Sequence, residues 1–382
     1  MFRLPIVGMD AVDLRPYGLR IRLTPDTDVF ALTPDVLSNA HRYKPKGSNT
    51  YRGFVVGGVP YIARKKLMGG EYGDVYKVEH NGRPYACKIN KSMKTPDDVR
   101  AFFAEVLIHI LLLQSSVGEE NGPYVPYLYT VGYDKSTQKT YLITEWLTHT
   151  LDYEIVRGTK AENDGRLPVV LAQVAHALTH WGRDLKFNHR DLHTNNVMLL
   201  RSHSGTLKRV ALIDFGLSCL TWKGLTLKGP TLYNDVPHPC YKEDRDMPFL
   251  LMRLYKYYDE FLSKPLLQHI HRMLGGTVRG EPCDLGALCP EHGLVDVMDQ
   301  YEFLNRPNVQ TPGGATERVE QAFRTMRRGT LTRARAKAKS SGMLSGLLPA
   351  AFARPGGQQT RKRKRPQTLS ENHAIRTFVA GS

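Results

Sequence analysis

The sequence predicts an α+β fold in which strands come first and helices follow. Runs rich in β-branched and aromatic residues at 61–67, 75–79 and 84–89 are typical of strands, and Asn81-Gly82 predicts a tight turn between the last two. From residue 168 to 187 apolar residues recur every three or four positions, which predicts a helix with one buried face. Strands gathered in one part of a chain and helices in another favour the α+β class.

The remaining elements extend this order in both directions. Residues 1–58 are rich in proline and contain short alternating pieces such as 19–23, so we expect an extension that packs on the strand-rich part. A helix is predicted at 99–113, followed by strands at 127–133 and 140–146. After the long helix, further helices are predicted at 247–261, 266–274 and 295–304.

A glycine-rich hairpin precedes a strand that carries a lysine. Glycines at Gly69, Gly70 and Gly73 allow backbone N–H groups to approach phosphate oxygens without a Cβ in the way. Lys88 follows in the next strand, and Glu105 is the one acid in the middle of the predicted helix, seventeen residues after Lys88.

The segment His189-Arg190-Asp191-Leu192-His193-Thr194-Asn195-Asn196, with Asp214-Phe215-Gly216 after a short apolar run, predicts the chemistry. Phosphoryl transfer needs a carboxylate to orient the attacking hydroxyl, and Asp191 can supply it. It also needs ligands for the metal on the triphosphate. Asn196 and Asp214 offer the oxygen donors that Mg²⁺ prefers.

In order and spacing these motifs resemble the catalytic core of the eukaryotic protein-kinase superfamily. The resemblance covers roughly residues 60 to 275. It implies a two-lobed protein-kinase-like fold with a small β-rich N-lobe that holds one helix and a mainly helical C-lobe. With the two ends assigned from composition, the expected organisation is an N-terminal extension (1–58), a kinase N-lobe (59–147), a kinase C-lobe (148–320) and a basic, disordered tail (321–382). ATP and Mg²⁺ are the implied cofactors.

The resemblance also implies a role for each site residue. Lys88 binds the phosphates, and Glu105 forms an ion pair that positions Lys88. Asp191 is catalytic, and Asn196 and Asp214 bind metal. The segment 144–147 resembles the hinge between the lobes. The residues implied in adenine binding are Glu145 and Leu147 through their backbone, Val75 and Ala86 above the ring, and Met198 below it. Asp246 matches the buried aspartate that accepts hydrogen bonds from the catalytic-loop backbone.

The chain departs from the kinase pattern in three places. Met68 stands where the first glycine of the hairpin is expected. His193 replaces the usual lysine, as in haspin-type kinases, kinases of large DNA viruses and small-molecule kinases. We expect His193 to donate a hydrogen bond to the transferring phosphate, the alternative being a structural imidazole. No Ala-Pro-Glu motif closes the segment after Asp214, in which Thr221, Thr226, Thr231 and Tyr233 are candidate phosphosites for Arg190.

Composition argues against a membrane-spanning protein and against a secreted, disulfide-rich one. Among the 382 residues, 41% are hydrophobic and 24% charged, and no apolar run is long enough to cross a bilayer. The N-terminus does not resemble a secretory signal, so we expect an intracellular protein without a membrane contact. Five cysteines predict no disulfide framework and a reducing compartment. Cys283, Cys289 and His292 lack a fourth zinc ligand and are interpreted as ordinary residues.

The net charge of +16 is concentrated at the C-terminal end. From Arg324 onwards there are 14 Lys and Arg residues against the single acid Glu371, which accounts for +13 of this charge. The compact run 361–365, Arg-Lys-Arg-Lys-Arg, is typical of a nuclear-localisation or nucleic-acid contact, and equally of a solvated tail. A nuclear location is therefore an alternative to a cytoplasmic one.

The sequence therefore predicts an ATP-dependent protein kinase that transfers the γ-phosphate of Mg-ATP to Ser or Thr hydroxyls of a protein substrate. One alternative is a small-molecule kinase of the aminoglycoside or choline type, which would share His193 and the missing Ala-Pro-Glu. The other is a nucleic-acid-associated scaffold that works through its tail. The oligomeric state is not predicted.

Overall fold

The computed structural model describes residues 8–44, 51–69, 73–119, 122–202, 205–229, 240–242, 245–273 and 316. Some predicted features lie outside these residues. They are Gly70, Thr231, Tyr233, Cys283, Cys289, His292, the predicted helix 295–304 and the basic run 361–365.

The described residues form fourteen strands and five helices. The strands are β1 Val12–Asp13, β2 Arg22–Leu23, β3 Ser38–Tyr43, β4 Gly53–Val56, β5 Val59–Gly69, β6 Gly73–His80, β7 Arg83–Asn90, β8 Leu128–Asp134, β9 Lys139–Glu145, β10 His149–Thr150, β11 Val197–Arg201, β12 Leu207–Leu212, β13 Cys219–Trp222 and β14 Leu225–Lys228. The helices are α1 Pro96–Ser116, α2 Leu151–Arg157, α3 Lys160–Leu185, α4 Asp246–Tyr257 and α5 Lys264–Met273.

Seven strands close into a barrel in the order β3-β4-β5-β6-β7-β9-β8, which forms the N-lobe. Aromatic residues fill its interior, with the ring of Phe54 5.4 Å from both Tyr76 and Tyr141. β3 and β4 lie in the predicted extension, yet β4 pairs with β5, and β3 pairs with β8. The expected boundary at residue 58 therefore does not interrupt the sheet, because these two strands cover edges that would otherwise be unpaired.

Helix α1 is the one helix of the N-lobe, and its start is fixed by local hydrogen bonds. The hydroxyl of Thr95 accepts the N–H of Asp98, and the Asp98 carboxylate accepts the N–H of Thr95, a capping box followed by Pro96. Among the described helices only α1 is long and apolar enough to span a bilayer, and two thirds of it is buried inside the fold. Burial of that kind is typical of a core helix.

The C-lobe is built around the long helix α3, whose Trp181 is fully buried. The prediction that this helix begins at Pro168 is wrong, since α3 begins at Lys160. Thr159 and Glu162 form a capping box at its start, and Pro168 lies inside the helix. The apolar periodicity marked the buried part of the helix and missed its polar first two turns.

A three-stranded sheet, β10-β11-β12, carries the site residues of the C-lobe. β11 begins directly after Asn196, and β12 ends two residues before Asp214. The amide N–H of Ile213 donates to the carbonyl of Asn196 at 3.0 Å, which brings both ends together. Short strands β13 and β14 follow Asp214 as a hairpin.

The expectation that the cysteines form no disulfide is wrong for one pair. Cys219 at the start of β13 is bonded to Cys240, 21 residues later, with a Cα–Cα distance of 5.4 Å. The fold brings the two together because Cys219 forms a β-bridge with Asn188, whose side-chain oxygen accepts the N–H of Lys242 at 2.6 Å. An odd cysteine count cannot reveal a pairing that depends on this tertiary contact.

Candidate active site

Lys88 lies at the centre of the site between two carboxylates. Its Nζ donates to Glu105 Oε1 at 2.5 Å and to Asp214 Oδ1 at 3.3 Å. Burial alone would lower the pKa of Lys88, but the two carboxylates outweigh it and raise this pKa above its usual value. The charge of Lys88 in turn lowers the pKa of Asp214. Lys88 and Asp214 are therefore both charged, and Lys88 joins Glu105 of the N-lobe to Asp214 of the C-lobe.

Helix α4 anchors the catalytic loop from below through Asp246. Its two carboxylate oxygens accept the backbone N–H groups of His189 and Arg190, each at 2.8 Å. The side-chain amide of Asn188 donates to the same carboxylate at 3.1 Å. The role predicted for Asp246 is confirmed. These bonds hold Arg190 at a φ of +70°, a conformation rarely adopted by residues with a side chain.

Asp191, Asn196 and Asp214 are brought together as the spacing of their motifs predicted. The side-chain amide of Asn196 donates to the Asp191 carbonyl at 2.9 Å, which leaves its Oδ1 without that bond and able to bind a metal. Asp214 is an exposed carboxylate that shares one oxygen with Lys88. One amide oxygen and one carboxylate are hard donors and fit Mg²⁺, which fills its other positions with water and phosphate.

Burial raises the pKa of Asp191 to about 6. The nearby carboxylate of Asp214 adds to this rise, whereas the charges of His189 and Arg253 oppose it. Asp191 is half-buried, so its carboxylate remains open to a ligand on one side. The position is suited to a hydroxyl that must be held and partly deprotonated.

His193 is turned towards the loop itself. Its Nδ1 accepts the N–H of Asn195 at 3.2 Å, so the ring proton is on Nε2, which lies 3.7 Å from Asp191 Oδ2. Burial lowers the pKa of His193 to about 3, and the charge of Arg253 lowers it further in the same direction. The imidazole is therefore neutral near pH 7. A phosphate contact of His193 stays a prediction, and it would use a neutral donor.

The glycine-rich hairpin is formed by β5 and β6, and its tip, including Gly70, lies outside the described residues. Gly69 ends β5 opposite Asp74, and Gly73 begins β6. A Cβ on Gly73 would lie 2.3 Å from the carbonyl oxygen of Ile89. Glycine at 73 is thus required by the neighbouring strand β7, a reason that differs from the phosphate contact predicted from the sequence.

The residues predicted to surround adenine lie on both sides of the segment 144–147, the predicted hinge between the lobes. Val75 is paired with Lys88 across β6 and β7, and Ala86 is two residues away on β7, so these three side chains share one face of the barrel. Met198 lies on β11 opposite Thr150, just after the link. The three apolar residues of this set are half-buried, as expected for the walls of an open cleft: Val75, Ala86 and Met198.

The link itself offers free backbone groups. Leu147 takes part in no backbone hydrogen bond among the described residues, so its N–H and C=O are available to a ligand. The N–H of Glu145 donates to the carbonyl of Tyr127 at 2.8 Å, so an adenine contact of Glu145 would have to use its carbonyl. The Glu145 carboxylate accepts a hydrogen bond from Arg209 of β12, an ion pair that sequence reasoning missed.

Two more functional residues have no sequence signal. His109 of α1 packs its ring 5.3 Å from the ring of Phe215, directly after Asp214. Arg253 of α4 lies near Asp191, as its effect on the pKa of Asp191 indicates. Neither residue belongs to a motif, and the pairing of each depends on a contact distant in sequence.

Arg190 is fully buried, and its guanidinium has no hydrogen-bond partner within the described part of the chain. Its charge, with that of Arg245, lowers the pKa of Lys228, after the larger effect of burial. Of the candidate phosphosites, Thr221 and Thr226 are described, and their hydroxyls face each other at 3.1 Å across the β13–β14 hairpin. Phosphorylation of any of them stays a prediction.

The comparisons with known proteins agree with this geometry. Residues 61–232 match the sequence model of the protein kinase domain. An Aurora kinase of Saccharomyces cerevisiae is 27% identical over 156 residues, which is 41% of this chain and 39% of the yeast protein. The chain thus matches about two fifths of the length of this relative. The narrower resemblance of the His193 loop to haspin-type kinases stays a prediction. Residues 61–232 thus match a protein kinase domain, and both findings support the eukaryotic protein-kinase superfamily.

Proposed function

We propose that this protein is an active protein kinase that transfers the γ-phosphate of Mg-ATP to Ser or Thr hydroxyls of proteins. The observation that carries the proposal is the joined set of Glu105, Lys88 and Asp214, with Nζ–O distances of 2.5 and 3.3 Å. A lysine held in this way faces the metal ligands and is preorganised to meet phosphate oxygens, so that no rearrangement is needed when nucleotide binds.

Each residue of the site has one task in the proposed reaction. Mg-ATP, when bound, supplies the phosphoryl group and the metal charge that neutralises its oxygens. Lys88 orients the phosphates, and Asn196 and Asp214 hold the metal. Asp191 would orient the acceptor hydroxyl and accept its proton as the oxygen attacks the γ-phosphorus, while the bond from this phosphorus to the bridging oxygen breaks and ADP leaves. The backbone groups of Leu147 and the carbonyl of Glu145 hold the adenine edge.

The experiment measures transfer of labelled γ-phosphate from Mg-ATP to generic acidic and basic proteins and to the protein itself. Asp191→Ala is expected to lower the rate by about a hundred- to ten-thousandfold, the range observed when a general base is removed. Asp26→Ala is the matched control, because Asp26 is an exposed carboxylate of the N-terminal region. Analysis of the labelled amino acid then distinguishes Ser and Thr from Tyr.

Equal labelling by wild-type protein and Asp191→Ala would contradict the assignment of Asp191. Binding of ATP without any labelled protein would contradict a protein substrate and favour a small-molecule acceptor. Label found on Tyr would contradict the Ser/Thr part alone.

We further propose that the basic run 361–365 directs the protein to the nucleus or to nucleic acid, as its compact positive charge favours. Removing residues 361–365 should abolish nuclear accumulation of a fluorescent fusion and leave phosphate transfer unchanged. Unchanged distribution of the shortened protein would contradict this proposal.

A further inference from the structure

Both ends of helix α4 are hydrogen-bonded to the catalytic loop, residues 189–196. At the first residue, Asp246 accepts the N–H groups of His189 and Arg190. Directly after the last residue, the hydroxyl of Tyr258 donates to Asp152 and lies 2.6 Å from the hydroxyl of Thr194. The face of α4 between these two points therefore runs along the loop that carries Asp191.

Arg253 lies on this face. It is seven residues after Asp246, which is close to two turns of an α-helix, so the two side chains leave the helix on the same side. Its guanidinium lies 5.6 Å from the ring centre of Phe249 and 5.7 Å from that of Tyr257, four residues before and four after it. These rings hold the side chain along the helix without neutralising its charge.

Arg253 forms no close ion pair among the described residues, and the carboxylate on which its charge acts is that of Asp191. The side chain is half-buried, and it makes no ion pair or hydrogen bond within the part of the chain that the structure describes. The carboxylates on neighbouring elements are engaged elsewhere, Asp246 with loop N–H groups and Asp152 with Tyr258. An arginine presents five N–H donors in a planar fork that matches carboxylate and phosphate oxygens.

The position of Arg253 places it on the acceptor side of the site. Lys88 is the cation bonded to Asp214, on the side of the metal and the nucleotide. The charge of Arg253 acts instead on Asp191, His193 and Tyr258, where it opposes the burial-driven rise in the pKa of Asp191. Since Asp191 is the residue assigned to the acceptor hydroxyl, a group that binds Arg253 would belong to the substrate that carries this hydroxyl.

We propose that Arg253 is a specificity-determining residue that binds an anionic side chain next to the phosphorylated hydroxyl, so that acidic acceptor sequences are selected. This inference rests on the proposed function and adds the substrate class. The group that Arg253 would bind is an oxyanion within hydrogen-bond distance of its guanidinium. Asp, Glu or a residue that is already phosphorylated can supply it.

The test compares kcat/KM of the full-length protein on Ser peptides that differ only beside the acceptor, where they carry Ala, Glu, phosphothreonine or Lys. Wild-type protein should prefer the Glu or the phosphothreonine peptide over the Ala peptide by about tenfold, the usual size of one hydrogen-bonded charge contact. A larger gain for phosphothreonine identifies phosphate as the favoured anion, and a larger gain for Glu identifies a carboxylate.

Three variants separate recognition from structure. Arg253→Gln should bring the ratio of kcat/KM between the anionic and the Ala peptide close to one, and Arg253→Lys should keep most of this preference. Arg253→Glu should favour the Lys peptide. Arg157→Gln is the matched control, because Arg157 of α2 is exposed and lies 5.6 Å from the ring of Tyr153 in the same kind of contact. It should leave every ratio unchanged.

Two results would overturn the inference while the proposed function stands. One is wild-type protein that phosphorylates the Ala and anionic peptides equally well. The other is Arg253→Gln lowering the rates on all peptides by one common factor, which is the result expected of a purely structural side chain. If wild-type protein phosphorylates no peptide and no protein, the proposed function fails and the inference fails with it.

Discussion

Three aromatic rings pack in series behind the catalytic loop at the level of single residues. The ring of His109 lies 5.3 Å from that of Phe215, which lies 5.5 Å from that of His189. The outer two are fixed by hydrogen bonds, His109 Nε2 to the Pro126 carbonyl at 2.8 Å and His189 Nε2 to the Ile213 carbonyl at 2.9 Å. The series connects α1, which carries Glu105, with the loop that carries Asp191.

Burial lowers the pKa of His109 to about 4, and the charge of Lys88 acts in the same direction. Because this folded-state pKa lies below the unfolded value of 6.5, protonation favours the unfolded chain. The contribution to stability is therefore complete above pH 6.5 and is lost as the pH falls towards 4. At about 1.4 kcal/mol per pH unit, the loss amounts to about 3 kcal/mol.

Urea unfolding of wild-type protein and of His109→Gln at several pH values checks this prediction. The amide of Gln can still donate to the Pro126 carbonyl but does not titrate. The free energy of unfolding of the variant should fall less steeply between pH 6.5 and 4.5. Parallel pH profiles of the two proteins would show that His109 does not titrate as expected. His41→Gln, at a largely exposed site on β3, is the control.

Sequence reasoning found those residues whose roles follow from a motif. The resemblance to the kinase core predicted Lys88, Glu105 and Asp214; the Lys88–Glu105 ion pair is present, and Lys88 is also paired with Asp214. His109 and Arg253 were missed. His109 packs against the ring of Phe215, 106 residues later in the sequence, and Arg253 lies near the catalytic loop because α4 runs along it. A sequence pattern does not show contacts between residues that are so far apart.

At the scale of elements, the disulfide joins the start of β13 to the chain that leads into α4. Cys219 and Cys240 enclose the β13–β14 hairpin, and both neighbouring chains are hydrogen-bonded to Asn188 just before the catalytic loop. A bond that closes a loop of 21 residues restricts the unfolded chain and should stabilise the fold by about 3 kcal/mol.

Adding a reductant should therefore lower the free energy of unfolding by about that amount. Urea unfolding of oxidised and reduced protein measures the difference. In the Cys219→Ser/Cys240→Ser double variant the reductant should have no effect, since Cys87, the free cysteine of the described residues, is fully buried. A reduced wild-type protein that unfolds at the same urea concentration as the oxidised one would contradict a stabilising bond.

The elements themselves were largely predictable, and the exceptions have physical causes. Strands β5 to β9 and helices α1, α4 and α5 lie close to their predicted positions, because their apolar residues follow a clear pattern, and α1 also begins at a capping box. The first turns of α3 were missed because they are polar and stabilised by the Thr159 cap. β3 and β4 were not recognised as part of the barrel, since nothing in a short strand tells which edge it will pair with.

For the whole molecule, one buried ion pair connects the two lobes beside the adenine cleft. Arg209 of β12 donates to the Glu145 carboxylate and to the carbonyl oxygens of Pro123 and Val125, the latter two at 2.7 and 3.3 Å. The same carboxylate accepts the N–H of Tyr127 at 3.2 Å. The pair fixes the end of β9, where the adenine-binding backbone begins, against the sheet that carries Met198 and leads to Asp214.

Removing one partner of this pair should be costly. Arg209→Met would remove the counterion of the Glu145 carboxylate and the donor to two carbonyl groups in a buried position, since the side chains of Arg209 and Glu145 are only 7% and 17% exposed. Breaking a buried pair in this way costs about 3 to 5 kcal/mol. The KM for ATP should rise in the same variant, because the backbone at Glu145 and Leu147 loses its support.

Thermal or urea unfolding measures the first effect, and phosphate transfer at varied ATP measures the second. Arg64→Met is the matched control: its 2.8 Å pair with Glu79 lies on the surface of the same barrel, with side chains 54% and 33% exposed. Exposed pairs contribute about 0 to 1 kcal/mol, so this variant should unfold nearly as wild-type protein does. If both variants lose the same free energy of unfolding, the buried Arg209–Glu145 pair does not link the lobes. If only Arg209→Met loses stability and ATP affinity, this pair couples the nucleotide cleft to the C-lobe.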